Sequence, residues 1–573
     1  MDSNLKTAAI AGYERVAAWA DLLDDINVYP VPDADTGRNL KISLAPIRDI
    51  LSDDIQISTH LLRAATGNSG IIAAAFFAEF LEVDSTQHLP QKAAAAKDRA
   101  WAAIADPQPG TMLSVFTSLS EALDSRPAEA AGAAPIVTPL IEVVQASSSL
   151  LPELEKAGVV DSGALGMFLF FEGFFKTLYE ENPEYHSPFE IFGEKLHLDH
   201  QPAAPGPDQV CISTLVKTET NPERLSEKLQ GLGSSVVTVR EGDHLKIHLH
   251  AENLDTVRRE VASWGDLVQW EAEPIVTGPK TGPAALSADP GVHIVTDAAG
   301  SITRQTADHL GITLMDSYVI SQDRACPETA VDPEELYRTM RAGQRATTAQ
   351  ASLFERRQSY ESLCSRYDQI VYLCVGSAYT GIYQVAKSWQ SEHPLGANLT
   401  VLDSGAASGR LGLIARATAD FARQGHPLDR VLAFARSVCA ACHELVFLDQ
   451  LKYLAAGGRI SKTGGFFGDL FRVKPIISPQ AAGVAKVGVV RKQTQQLPFA
   501  HAYFGDRIDR LAKVSILLQH TDNQERVATE IQPAIKTAFP RADISLVPLS
   551  LTSGVHMGPG TWAMAVLPEM KIQ

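Results

Sequence analysis

The sequence predicts a multidomain protein: a helical N-terminal third, a small α+β unit, and an α/β C-terminal half of two lobes. Three observations carry this. The chain has 573 residues, more than one hydrophobic core usually serves. The apolar periodicity changes from three-to-four-residue spacing to strand-like runs near residue 209. Two joints rich in Pro, Gly and Ala, at 200–208 and 277–290, separate the parts. The expected domains are 1–200, 209–276 and 291–573.

Helices are expected over 5–26, 69–83, 91–105, 111–124 and 138–151, many of them Ala-rich. Gly163 to Phe175 is apolar but short and contains Glu172, which predicts a buried core helix rather than a membrane span. In 209–276, VCISTLVKT, SSVVTVREG and HLKIHLHAE read as strands, with helices at 221–231 and 253–263. Beyond 291, strand-like VHIVTDAAG, LMDSYVI, QIVYLCVGS, NLTVLDSG, VSILLQH and ISLVPLS alternate with helical stretches such as 380–391 and 408–424. That alternation predicts largely parallel α/β layers. RVLAFARSVCAACHELVFLDQ is expected to be one helical run. Its Cys439-Ala-Ala-Cys-His443 string matches a haem-attachment pattern, but covalent haem needs export, and the amphipathic, acid-containing start MDSNLKTAAIAGYERVAAWADLLDDIN is no signal peptide.

The net charge of −17 excludes nucleic-acid or anionic-membrane binding driven by overall charge. Six cysteines scattered over this length give no disulfide framework, so a reduced, cytoplasmic protein is expected.

The most informative stretch is Asn27-Val-Tyr-Pro-Val-Pro-Asp-Ala-Asp-Thr-Gly-Arg-Asn39. Two prolines and a glycine keep it out of a helix. In such a loop Asp33 and Asp35 can converge on one hard cation, and Mg²⁺ bridging to substrate phosphate is the use that fits oxygen donors. A solvated acidic turn is the alternative. Three further small-residue loops precede expected helices: Ala65-Thr-Gly-Asn-Ser-Gly70, Gly110-Thr-Met-Leu113 and Gly158-Val-Val-Asp-Ser-Gly-Ala-Leu-Gly166. Helix N-termini offer free N–H groups to phosphate.

In this order the four loops resemble the ATP-binding domain of the dihydroxyacetone kinase L-subunit family, above all the version in bacterial fatty acid kinase. The resemblance covers about 1–190. It implies an all-α helical barrel with ATP at one open end, held through Mg²⁺. It also implies Asp33 and Asp35 as Mg²⁺ ligands, with Asn27 near a third ligand position. Asn39, Asn68, Ser69 and Gly70 are then expected at the phosphates, and Thr111 and Asp161 along the nucleotide. Thr66 stands where the family usually has Arg.

In the middle unit, Lys246-Ile-His-Leu-His250 puts two imidazoles on one strand face, which Cys211 can complete to a Zn²⁺ set. A solvated face is the alternative. The segment resembles the middle domain of fatty acid kinase, which implies a structural zinc at Cys211, His248 and His250.

Residues 291–570 resemble the DegV family, the fatty-acid-binding component of that enzyme. The resemblance rests on Val295-Thr-Asp297, Thr347-Thr-Ala-Gln-Ala-Ser352, Val375-Gly-Ser-Ala-Tyr-Thr-Gly381, Val401-Leu-Asp-Ser404, Leu451-Lys-Tyr-Leu-Ala-Ala-Gly-Gly-Arg-Ile-Ser-Lys462 and His556-Met-Gly-Pro-Gly560. A fatty acid tail gains about 0.8 kcal/mol per buried CH₂, and its carboxylate needs charge-assisted donors. Arg459 and His556 are expected to supply positive donors, and Thr348 and Ser377 hydroxyls.

Together the resemblances imply a fusion that phosphorylates the carboxylate of a bound fatty acid with ATP and Mg²⁺. The expected partners are a fatty acid, an acyltransferase that consumes the acyl-phosphate, a second copy in a homodimer, and a membrane touched transiently during loading. Arg459 is expected to serve both carboxylate and phosphoryl group. A dihydroxyacetone-type small-molecule kinase and a non-enzymatic lipid binder are the alternatives.

Overall fold

The computed structural model describes the chain except for residues 53–55, 126–131, 181–182, 199–208, 221, 276–290, 323, 457–472 and 571–573. Both expected joints and Arg459, with the second half of its motif, therefore lie outside the described residues. Two compact units result: Met1–Lys280 with Phe354–Ser362, and Thr281–Leu353 with Leu363–Gln573.

The first unit begins as a helical domain. Its centre is the helix Ser162–Tyr179, buried from Ser162 to Phe175. The Asp161 carboxylate starts this helix by accepting from the Ala164 N–H at 2.7 Å, an N-cap bond of the usual kind. The helix lies against Ser3–Ala18, and glycines set the approach. A Cβ on Gly173 would stand 2.9 Å from the Ala11 carbonyl oxygen, and one on Gly12 2.7 Å from that of Phe170. Phe76 stacks on Phe116 with ring centres 4.0 Å apart and meets Phe171 edge-on. Glu172, buried in this apolar setting, pairs with the equally buried Arg15 and with Lys176 at 3.1 Å. A carboxylate there needs such partners.

The middle of the chain forms β1 (Val210–Lys217), β2 (Ser234–Glu241), β3 (His244–Ala251) and β4 (Asp266–Pro274). Helices Pro222–Gln230 and Leu254–Ala262 follow β1 and β3. The strand order β2-β3-β1-β4 with this βαββαβ connectivity is ferredoxin-like.

The second unit contains β5 (His293–Asp297), β6 (Ile312–Met315), β7 (Tyr318–Ser321), β8 (Arg324–Pro327), β9 (Ala346–Ala349), β10 (Ile370–Cys374), β11 (Leu399–Asp403), β12 (His443–Phe447), β13 (Lys474–Gln480), β14 (Gly483–Val490), β15 (Val514–His520), β16 (Asp543–Pro548) and β17 (Trp562–Pro568). They build sheets β11-β10-β5-β6, β14-β13-β12-β17-β15-β16 and β8-β7-β9.

The expectation of largely parallel layers holds for the first of these sheets, where every pairing is parallel. It fails for the six-stranded sheet, in which β15/β16 is parallel and the other pairings are antiparallel. Two further readings are corrected. LMDSYVI is two strands in different sheets, because Asp316 turns the chain and accepts from the Thr329 N–H and hydroxyl. The helical run 430–450 ends at Ala441, and His443–Phe447 becomes a central strand. Its Leu445, Val446 and Phe447 are fully buried, and tertiary pairing outweighs local helix preference.

Candidate functional site

Asp33 and Asp35 lie in the irregular stretch before the helix Thr36–Ser43, with Asp35 at its N-cap. Gly37 lets this helix press on its neighbour: a Cβ there would stand 1.9 Å from the Ala20 carbonyl oxygen. Asn27 Nδ2 donates to Asp33 Oδ1 at 2.7 Å, while the buried Asn27 Oδ1 has no protein partner. Burial, and after it the charge of Asp35, push the Asp33 carboxyl up to about 8. Two half-buried carboxylates held this close repel each other, and a cation between them relieves that.

The G-N-S-G string does not precede its helix, as expected, but forms the first turn of Gly67–Phe80. Gly67 adopts φ +63°, open to glycine without strain. A Cβ there would run into the Asn39 amide at 2.0 Å, and one on Gly70 into Ser43 Oγ at 2.0 Å. Asn39 and Gly70 accordingly brace this turn from behind and line neither cavity described below. Asn68 and Ser69 do line them; Ser69 Oγ meets Thr36 Oγ1 at 3.3 Å, and the buried Asn68 Oδ1 has no protein partner.

Cys211 on β1 lies opposite His250 on β3, with His248 two residues earlier on the same face. Cys211 Sγ is 3.9 Å from His248 Nδ1, His248 Nε2 is 3.3 Å from His250 Nε2, and all candidate ligand atoms fall within 4.8 Å of one another. Burial raises the Cys211 thiol and lowers both imidazoles, so each group favours its neutral form until a dication offsets the burial. The buried His250 Nδ1 has no protein partner. The donor set fits Zn²⁺. The triad is not set apart from the acidic loop. A small cavity is lined by Asn27, Asp33, Asp35, Asn68, His248 and His250 together.

A second cavity, of about 380 Å³, adjoins it and shares Tyr29, Asn68 and Ser69. Thr111, N-cap of the helix Met112–Asp124, and Asp161 lie along it. Burial pushes the Asp161 carboxyl up to about 7, against the Ala164 and Gly163 N–H groups. Neither lining includes Lys or Arg among the described residues. An anionic ligand here has to be neutralised by cations and helix-terminal N–H groups. Tyr29, Thr36 and Asp106 also line these cavities and carry no role in the sequence reading. Thr36 lies inside the conspicuous D-A-D-T-G string; Asp106 has no local signal.

In the second unit, Thr348 on β9 meets His556 of the helix Leu551–Met557, Oγ1 to Nε2 3.1 Å. Ser377 is held elsewhere: its hydroxyl and N–H both donate to Asp403, at 2.5 and 3.1 Å. Of the four expected carboxylate donors, the structure brings Thr348 and His556 together and gives Ser377 another partner, while Arg459 lies outside the described residues. In the Cys439–His443 string, Cys439 and Ala441 belong to a helix, Cys442 is buried, and His443 opens β12.

The DAK2 domain family matches residues 30–176, the family of fatty acid kinase A-like middle domains matches 209–275, and the DegV family matches 291–569. An uncharacterized protein of Staphylococcus saprophyticus is 29% identical over 294 residues, covering 46% of this chain and 53% of that protein. Protein YloV of Bacillus subtilis is 26% identical over 295 residues, again 46% and 53%. The chain spans about half the length of the curated relatives it matches. Among solved structures, a fatty-acid-binding DegV family protein from Thermus thermophilus is 21% identical, covering 49% of this chain and 100% of that one, TM-score 0.45. DegV of Bacillus subtilis, described as a fatty acid binding protein, is 20% identical, covering 49% and 99%, TM-score 0.44. No described helix is long and apolar enough to cross a membrane.

Proposed function

From a chain that carries a DAK2 domain, a fatty acid kinase A-like middle domain and a DegV domain in that order, we propose a kinase that transfers the γ-phosphoryl of ATP to the carboxylate of a fatty acid. The carrying observation is the paired cavity of the first unit: converging carboxylates, orphaned Asn27 and Asn68 oxygens, and no Lys or Arg among the described residues of either lining.

Asp33 and Asp35, with the Asn27 oxygen beside them, hold Mg²⁺, which supplies charge neutralisation of the phosphates. The Asn68–Ser69 turn offers N–H groups to the phosphates; Asn39 and Gly70 keep that turn in place. Thr111 and Asp161 border the nucleoside end. The helical domain closes as a barrel around this site. Cys211, His248 and His250 hold Zn²⁺, and the place of the two imidazoles in the lining of the acidic cavity favours a role near the phosphates over a purely structural one.

In the DegV domain Thr348, His556 and Arg459 receive the fatty acid carboxylate; Ser377 joins them only by leaving Asp403. A carboxylate oxygen attacks the γ-phosphorus, the bond to the β-phosphate oxygen breaks, and acyl-phosphate and ADP result. The acceptor is ionised at neutral pH, so no general base is needed and positioning carries the catalysis. The product implies an acyltransferase downstream. A homodimer in the cytoplasm, loading fatty acid by transient membrane contact, completes the proposal.

Purified chain, γ-labelled ATP and Mg²⁺ with either oleate or dihydroxyacetone tests it. Hydroxylamine-sensitive label with oleate alone is the expected result. Label on dihydroxyacetone, or no turnover with lipid retained in native mass spectrometry, overturns it.

A further inference from the structure

Part of the wall of the larger cavity, which Thr111 and Asp161 also line, comes from the middle domain. Gln230, Gly233, Ser234 and Ser235, at the end of a helix and the start of β2, line it. β2 is an edge strand of its sheet. Its outer edge is paired with Ala103–Ala105 of the helical domain: the Ala105 N–H donates to the Val236 carbonyl at 3.3 Å, and the Thr238 N–H to the Ala103 carbonyl at 2.8 Å. Ile104 and Val237 form the antiparallel bridge between them. Arg99 locks the far end, donating to the Arg240 carbonyl at 3.0 Å and to Glu241 at 2.5 Å.

Edge-strand pairing of this kind joins the two domains through main-chain hydrogen bonds, here those of Ala105 and Thr238, with the Arg99 contacts beside them. The wall itself is shaped. The β2/β3 register slips between Ser234 and Val237, and Ser235 sits at φ +54°, a conformation rare for residues other than glycine. Bulges of this kind re-aim side chains beside binding sites. Gly233 has no room for a side chain, since a Cβ would lie 2.2 Å from the His250 carbonyl oxygen. The wall is therefore rigidly tied to the strand that carries His248 and His250.

We propose that the middle domain is the closing wall of the nucleotide cavity. The β2 edge clasps residues 103–105, Gln230, Ser234 and Ser235 present polar groups to the nucleoside, and nucleotide binding and clasp closure favour each other. This rests on the reading of the cavity as a nucleotide site. Because β3 moves with the wall, the clasp also brings the two imidazoles to Asp33 and Asp35. A ligand that touches both domains binds the closed state better and shifts the population toward it.

The test uses the full chain, with MgATP affinity by calorimetry and hydrogen exchange at the Thr238 amide. Arg99→Glu places like charges at the lock and is expected to weaken MgATP binding about tenfold. Arg99→Glu with Glu241→Arg restores the pair, and affinity should return to within about twofold of the parent. In the parent chain MgATP should increase protection of the Thr238 amide. MgATP binding that is indifferent to Arg99→Glu, or Thr238 protection unchanged by MgATP, overturns the clasp while leaving the nucleotide site standing. A parent chain that binds no MgATP overturns the nucleotide reading and the clasp with it.

Discussion

Glu444 of the second unit and Asp33 of the first are both carboxylates removed from water, and they are treated in opposite ways. Glu444 accepts from Ser408 Oγ at 2.9 Å, from the Gly409 and Arg410 N–H groups at 3.1 and 3.0 Å, and from Gln519 Nε2 at 2.7 Å. Burial raises it, and each of these donors works against that rise. Asp33 has the Asn27 amide on one side and a second carboxylate on the other. A charge surrounded by donors serves the fold. A charge set against a like charge destabilises the fold unless a ligand answers it, and such arrangements mark functional sites.

Loss of a carboxylate from the acidic loop should have the largest effect. Asp33→Ala or Asp35→Ala should lower fatty acid phosphorylation by about a thousandfold or more, with lipid still found on the protein by native mass spectrometry. Loss of the lipid as well would contradict the separation of tasks between the domains. Cys211→Ala should abolish retention of about one zinc per chain through gel filtration, read by metal analysis. Zinc held equally well by that variant would assign it elsewhere.

Stability should move in opposite directions at the two carboxylates. Glu444→Ala strands Gln519, Ser408 and two backbone N–H groups in the interior and should cost about 3 kcal/mol in chemical denaturation. Asp33→Asn, measured without metal, should instead gain about 1 kcal/mol, because it removes a repulsion. A loss at Asp33 would mean that its charge is already balanced within the protein.

The pH dependence follows from the same contrast. The Asp33 carboxyl is raised from 3.8 to about 8 in the folded chain. Its stabilising effect is complete below about pH 4 and is lost progressively as pH rises to about 8, since the folded state resists losing the proton. Asp161, raised to about 7, acts in the same direction. Metal-free protein should therefore melt lower at about pH 8 than at about pH 6, Mg²⁺ should recover the difference at the higher pH, and Asp33→Asn should shallow the slope. A melting temperature that rises over this range would refute the sign.

What could be read from sequence alone divides along the same physical line. The acidic loop was legible because Pro30 and Pro32 restrict the backbone locally. Gly37 instead belongs to the following helix, where the Ala20 carbonyl and not a turn excludes a side chain, and the G-N-S-G string was legible as a small-residue signal but not as the first turn of its helix. Cys211 and the His248/His250 pair were legible as types, yet nothing local says that they face Asp33 and Asp35. The β2 clasp was invisible, since Ala103–Ala105 carry no strand signal and pair with residues more than 130 positions away. The antiparallel character of the six-stranded sheet was hidden for the same reason: β12 and β17 meet across more than 110 residues. Side-chain patterning sets burial, not strand direction.

The smallest expected effect distinguishes two serine/threonine hydroxyls that a motif reading treats alike. Ser377 already donates to Asp403, whose other oxygen also takes the Ser377 and Gly405 N–H groups at 3.1 and 3.0 Å. Serving a fatty acid carboxylate would mean giving up that bond and placing two anions around one loop. Thr348 faces His556, a donor that gains by a nearby anion. Ser377→Ala should therefore change oleate affinity by less than about twofold, while Thr348→Val, which keeps the shape and removes the hydroxyl, should weaken it by about fivefold. The reverse order would move the carboxylate end of the lipid from the Thr348–His556 pair to the loop after β10.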